Sequence, residues 1–297
     1  MAKAHLNGIN VHYQMTGEGP DVILIHGITS CLAQWYVEIM PKLAEEHRVL
    51  VYDLRGHGLT EATESGYTSS QMANDLLALM DHLNIRKPML VGHSFGGSIA
   101  LHLALEHPGR VEGIVLMDTG LACLRYLRVI HDWPGWEIWG SGLSRFGITL
   151  ESFLEADKNQ DVTEFIRRSL SIPLQSGFRK GQSPLTPRLR KLLDETKIGF
   201  EFREIAGLTE EALEQIQTPV LALYGGMSPY EKMAERLSRR LPRCHYRLLA
   251  ESGHFYAIEE PELVVRHISD FLREPEEFLR SASRSSLPSG NAAKHGA

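Results

Sequence analysis

Cysteine is scarce: three residues, Cys31, Cys123 and Cys244, in a chain of 297. They form neither a CxxC pair nor a metal-finger spacing, which excludes a disulfide-stapled miniprotein and a zinc finger. Thiols so few and scattered are expected to be buried in a reducing compartment, and the expected location is cytoplasmic. No apolar run approaches the roughly 18 residues of a membrane span, so no such span is expected. The opening MAKAHLNGINVHYQ lacks the apolar core of a secretory signal. Positive charge is not in excess either. Lys plus Arg number 31 against 37 Asp plus Glu, a formal net charge of -6, with no overall drive toward nucleic acid or anionic membrane. Internal repeats are also absent. The chain does have bulk and apolarity: 43% hydrophobic and 23% charged residues are enough for a large folded core.

The opening alternates around a turn-like Asn7-Gly8 and reads as an antiparallel hairpin. Short apolar runs follow at Val22 to Ile25, Val49 to Tyr52, Met89 to Val91 and Val111 to Met117. Helical periodicity separates them at Gln34 to Ala44, Ser69 to Leu83 and Ser98 to Glu106. Continuous apolar strands alternating with helices indicate a parallel sheet covered on both faces. The design resumes with Val220 to Tyr224, Glu231 to Leu241, Cys244 to Leu249 and a final helix from Pro261 to Leu272, giving about eight strands. Between Gly120 and Gln217 the rhythm stops. Helical pieces such as Leu150 to Leu170 and Arg188 to Phe202 occur there without a convincing strand, and the stretch is too long for an ordinary loop. The expected organisation is a discontinuous core, 1–120 and 218–280, interrupted by a helical cap at 121–217. Residues 281–297, RSASRSSLPSGNAAKHGA from Arg280 onward, offer little to bury and read as a disordered tail.

The strongest chemical signal is PMLVGHSFGGSIALHLA at 88–104. A strand runs into Gly92-His93-Ser94-Phe95-Gly96 and then into a helix, which is G-x-S-x-G in the strand, turn and helix context it requires. Ser94 must occupy a sharp, strained turn to project its hydroxyl, so Gly92 and Gly96 remove side chains that would collide, and Gly97 lets the helix approach. The helix N-terminus beneath it favours developing negative charge. On these residues the sequence resembles the α/β-hydrolase superfamily, in its cap-bearing serine branch of esterases, thioesterase-like enzymes and carbon-carbon bond hydrolases. The resemblance covers residues 5 to 120 and 218 to 275. It implies an α/β-hydrolase fold: a mostly parallel eight-stranded sheet flanked by helices, with a helical cap inserted after the sixth strand.

The resemblance further implies that VILIHGITS ends in the family's His-Gly, with the N-H groups of Ile28 and Phe95 forming the oxyanion hole. His26 is then a wall or hydrogen-bonding residue. Asp53, Arg55, Gly56 and His57, in YDLRGHG, match a family hallmark and read as structural support for the oxyanion loop. His254, in the glycine-preceded loop of LLAESGHFYAIEEPELV, matches the family's base, which takes the serine proton and returns it to the leaving group. The acid departs from the commonest pattern. Ser228 stands where the family usually places it, and no Asp lies between Glu195 and His254. A second family arrangement puts the acid after the strand that follows the nucleophile helix, where IVLMDTG supplies Asp118. Asp118 is the favoured triad acid, Glu231 is the alternative, and a dyad or a ring oriented by water or Ser228 remains open.

A serine at the elbow suits acyl transfer. The expected reaction is cleavage of a carboxylic ester or thioester through an acyl-enzyme, with no metal or cofactor. The alternatives are carbon-carbon cleavage of a β-diketone and a non-catalytic receptor or scaffold, which Ser228 at the usual acid position keeps open. Trp133, Trp136 and Trp139, with Phe146 and Phe153, are candidates to line a substrate pocket or simply to pack the cap. From Arg167 to Lys191 there are seven basic residues and no acid: Arg167, Arg168, Arg179, Lys180, Arg188, Arg190 and Lys191. Such a stretch is a candidate for holding an anionic substrate, CoA or a carrier protein, against the plainer reading of a solvated helix face. No nucleic-acid partner is expected, and the oligomeric state stays open.

Overall fold

The computed structural model describes residues 2–128, 136–137, 144, 147–171 and 186–285. They form an eight-stranded sheet in the order β1-β2-β4-β3-β5-β6-β7-β8. These strands are β1 Ala2–Leu6, β2 Ile9–Thr16, β3 Asp21–Ile25, β4 Arg48–Tyr52, β5 Met89–His93, β6 Gly113–Met117, β7 Val220–Gly225 and β8 Cys244–Leu249. Leu6 pairs with Ile9 across a two-residue loop in which Asn7 and Gly8 have φ +48° and +76°. Both values are positive, as the primed turn of a tight hairpin requires. β2 is antiparallel to β4, and every pairing from β4 through β8 is parallel. The central strands read as unbroken apolar runs because both faces are covered: β5, β6 and β7 are buried along their whole lengths.

Two apolar clusters sandwich the sheet. One joins Ile23, Leu90 and Ile114 to Leu76 and Leu79 of the helix Ser69–His82 and to Ile99 and Leu103 of the helix Phe95–Glu106. The other packs Val22, Val91 and Leu221 against Trp35, Ile39, Val264 and Phe271. The periodicity expected over 34–44 is realised as two short helices, Ala33–Tyr36 and Ile39–Leu43. Pro41 has no N-H to bond back to the carbonyl of Val37, so the helix restarts. The stretch 150–170 divides likewise into Leu150–Lys158 and Thr163–Ser171, the second opened by Asp161, whose carboxylate accepts from the Thr163 N-H at 2.9 Å.

Between β6 and β7 the described residues are helices and turns. This helical cap shares the core's apolar cluster through Leu124, Leu170, Leu192 and Ile198. Polar latches hold it to the loop after β4: Glu201 Oε2 accepts from the N-H groups of Gly66 and Tyr67 at 2.7 and 2.8 Å, and the Lys197 N-H donates to the Glu64 carbonyl at 2.8 Å. At the other end, the segment expected to be disordered from 281 begins as a helix, Pro275–Ser285. Phe278 packs its ring edge-on against Phe271, at 5.5 Å between centroids, which gives that helix an apolar anchor. Residues 286–297 lie outside the described residues.

Candidate active site

The parallel strands deliver the chemical residues to one edge of the sheet, because each lies just beyond a strand's carboxyl end. Ser94 follows β5 at φ +54°, ψ -121°, a strained backbone position. The ladder over-determines that strain: the Ser94 N-H donates to the Met117 carbonyl at 2.9 Å, and the Gly97 N-H donates to the Ser94 carbonyl at 3.1 Å. A Cβ at Gly96 would lie 2.3 Å from the Ile25 carbonyl oxygen, so only glycine lets the elbow meet β3. A Cβ at Gly27 would lie 3.0 Å from the Ser94 Cβ, which shows how closely the turn after β3 approaches the serine. Beside it, the N-H groups of Ile28 and Phe95 donate to no acceptor among the described residues. Phe95 is also the first residue of its helix, where N-H groups lack partners inside the helix.

Asp118 follows β6 at φ +47° and is wholly buried. Its Oδ2 accepts from His254 Nδ1 at 2.5 Å and from the Ser228 hydroxyl at 2.5 Å, and its Oδ1 accepts from the Gly225 N-H at 3.0 Å. A buried carboxylate with three donors is a satisfied one. The contact with Asp118 leaves Nε2 as the ring's free nitrogen, and His254 lines the same cavity as Ser94. Its loop is fastened by His93, whose Nε2-H donates to the His254 carbonyl at 2.8 Å. Burial, and then the neighbouring His254, push His93 down to about 3, so that ring is neutral. Glu231, by contrast, is exposed in the first turn of the helix Glu231–Arg240 and makes no hydrogen bond to His254.

His26 does not line the cavity, which corrects the expectation of a wall residue and leaves its alternative, a hydrogen-bonding one. Fully buried, its Nδ1-H donates to the Gly27 carbonyl at 2.8 Å and its Nε2 accepts from the Leu54 N-H at 3.0 Å. His57 braces the same loop: its Nδ1-H donates to the Arg55 carbonyl at 2.8 Å and its Nε2 accepts from the Thr29 N-H at 3.1 Å. Burial, and then His26, push His57 down to about 3. Asp53 takes N-H groups from Leu32 and Leu59, both at 2.8 Å, and Arg55 grips Asp75 through two hydrogen bonds at 2.8 and 2.7 Å.

A cavity of about 280 Å3 lies between the sheet edge and the cap. Its apolar wall includes Val162, Phe165, Ile166 and Phe202, and its polar wall includes Arg125, Arg128, Asp157, Arg203 and Tyr230. Trp136 is half-buried and does not line the cavity. Trp133, Trp139, Phe146 and the ring of Phe153 lie outside the described residues. The described members of the basic run from Arg167 to Lys191 do not line the cavity. Arg167 pairs with Glu164 and Asp194, Arg168 with Glu164 and Lys191 with Glu195, while Arg188 donates to the Gly58 carbonyl. Arg179 and Lys180 lie outside the described residues. Sequence reasoning missed Arg125, Arg128 and Arg203 because nothing local distinguishes them from other arginines. Among the described residues no cluster of His, Cys, Asp and Glu is arranged to hold a metal, and no helix is long and apolar enough to cross a membrane.

Residues 20–261 match the family described as alpha/beta hydrolase fold. The chain belongs to that family. Among curated relatives, it is 27% identical over 281 residues to a putative 2-succinyl-6-hydroxy-2,4-cyclohexadiene-1-carboxylate synthase of Bacillus subtilis, covering 88% of this chain and 95% of that protein. It is 25% identical over 275 residues to 2-hydroxymuconate semialdehyde hydrolase of a Pseudomonas species, covering 90% and 92%. Among solved structures, a thermophilic esterase from Thermogutta terrifontis superposes with a TM-score of 0.62 at 26% identity, covering 92% of this chain and 98% of that one. This α/β-hydrolase is therefore a hydrolase by family, with relatives that differ in the bonds named for them. The substrate has to be argued from its own site.

Proposed function

We propose that this α/β-hydrolase cleaves a carboxylic ester or thioester through an acyl-enzyme on Ser94. The observation that carries the reading is the 2.5 Å contact between His254 Nδ1 and the buried Asp118 carboxylate, on a histidine that shares a cavity with Ser94. Asp118 holds the imidazole in the tautomer whose Nε2 accepts a proton, and stabilises the imidazolium once it forms. Ser94 loses its proton to His254 as its oxygen bonds the carbonyl carbon, and the carbonyl oxygen becomes an oxyanion held by the N-H groups of Ile28 and Phe95. His254 then protonates the departing alkoxide or thiolate. Water, deprotonated by the same histidine, attacks the acyl-enzyme and releases the acid and free Ser94. Ser228, at the family's usual acid position, serves the relocated acid by donating to the oxygen that holds His254. The esterase among the solved structures, similar over nearly the whole chain, supports the same class.

An active-serine phosphonate probe tests the reading. Stoichiometric labelling that disappears in Ser94→Ala, with a pre-steady-state burst of p-nitrophenol from p-nitrophenyl butyrate, is the expected result. Absence of labelling at every pH from about 6 to 9, a range that extends well above the ordinary histidine pKa, would contradict it and favour a non-catalytic hydrolase fold.

A further inference from the structure

The cavity brings together three guanidinium groups and one carboxylate: Arg125, Arg128, Arg203 and Asp157. Asp157 is committed to Arg128, at 2.8 Å, and Arg128 also lies over the Tyr230 ring at 5.5 Å. Neither Arg125 nor Arg203 has a carboxylate within ion-pair distance among the described residues. Arg203 donates from Nη2 to the backbone carbonyl of Asp157 at 2.7 Å, and its buried Nε has no hydrogen-bond partner. Arg125 makes one long hydrogen bond, 3.4 Å to the Gln160 amide oxygen. Burial, and then Arg125, push Arg203 down to about 10, with Arg128 acting in the same direction. Two cations held together in a partly desolvated wall are costly, and Asp157, which acts on Arg203 in the opposite direction, is already paired with Arg128. A bound anion offsets it, and paired planar guanidinium forks suit a carboxylate.

We propose that Arg125 and Arg203 bind a free carboxylate of the substrate, so that the preferred acyl compound carries a carboxylate in addition to the bond cleaved at Ser94. This rests on the serine-hydrolase reading for its chemistry, but the anion site stands on its own geometry. It replaces the run from Arg167 to Lys191 as the place where negative charge is recognised, since the described members of that run other than Arg190 meet acids or a carbonyl of the protein itself.

The test compares mono-p-nitrophenyl glutarate with its methyl ester, which has the same acyl chain without the charge. The glutarate is expected to have a kcat/KM about 30-fold higher, mainly through KM, as a charge-assisted pair implies. Arg203→Gln and Arg125→Gln should each lower that ratio about tenfold, whereas a structural role alone would depress both substrates and leave the ratio in place. Arg168→Gln, on the exposed cap surface, should leave it unchanged. If Arg203→Gln fails to fold, Arg125→Gln carries the comparison. Calorimetric titration of glutarate into Ser94→Ala gives a readout without turnover: binding is expected, and Arg125→Gln in the same background should abolish it. Glutarate binding by a protein that the phosphonate does not label would overturn the hydrolase reading and keep the anion site. Hydrolysis of the methyl ester with no preference for glutarate and no glutarate binding would overturn the anion site and keep the hydrolase. A phosphomonoester analogue that binds Ser94→Ala while glutarate does not would also overturn the carboxylate assignment.

Discussion

The two walls of the cavity differ in how their residues are fixed. On the sheet side, Ser94, Asp118 and the turn at Gly27 sit on backbone that leaves little freedom: positive φ at Ser94 and Asp118, contact too close for a Cβ at Gly96, and a tight approach to Ser94 at Gly27. On the cap side, Arg125 and its neighbour Arg128 belong to the 3-10 turn Ala122–Leu127 and its cap, and Arg203 joins them only through the tertiary fold. The first wall is held by hydrogen bonds along strand ends and is written into short motifs. The second is held by side-chain charge, and its composition is free to change without disturbing the sheet. That difference accounts for a family in which one core is shared by relatives named as a synthase, a semialdehyde hydrolase and an esterase.

Glycine substitutions on the sheet side should therefore cost folding. Gly96→Ala forces the elbow away from the Ile25 carbonyl, 2.3 Å from the added carbon, and should destabilise by about 3 kcal/mol. Urea unfolding checks it, and a loss no larger than that of an exposed cap substitution such as Arg190→Gln would erase the contrast between the walls. The buried histidines that brace the turn after β3 and the loop of His254 sharpen the same point through pH. His57 and His93 lie near 3 in the folded protein against an ordinary value of 6.5, so the unfolded chain takes up protons first as pH falls. Their contribution is complete above pH 6.5 and declines from there toward pH 3, by about 1.4 kcal/mol per pH unit for each ring. Stability measured from about pH 7 to 5 should fall accordingly, with a shallower slope in His57→Gln. The smallest effect is expected at Ser228→Ala, which removes one of three donors to Asp118: about 1 kcal/mol, or roughly fivefold in kcat, at unchanged KM.

The unequal legibility of the sequence follows the same division. The alternation of strands and helices, the elbow, the turn after β3 and the loop of His254 could be read because each is a local string whose backbone demands particular residues. Asp118 could be read as a candidate from its place after β6, but its partnership with His254 and Ser228 depends on three strand ends converging. His26 could be read only as far as two alternatives: its motif places it beside the site, and the backbone groups that take both ring nitrogens decide for the hydrogen-bonding one over the wall. The basic run in the cap left two readings open, and its described members follow the plainer one of a helix face compensated by neighbouring acids, because Glu164 and Asp194 fold against it. Arg125 and Arg203 carry no local signal at all, and only the cavity brings them together.

The measurement that bears most directly on the proposal that Asp118 is the triad acid is kcat/KM of Asp118→Asn beside Glu231→Gln on one activated ester. Asp118→Asn should lower turnover about 10,000-fold through loss of the productive imidazole tautomer, with the fold intact. Glu231→Gln should stay within about twofold of the parent, as befits an exposed carboxylate making no contact with His254. Unchanged turnover in Asp118→Asn together with a large loss in Glu231→Gln would contradict the account.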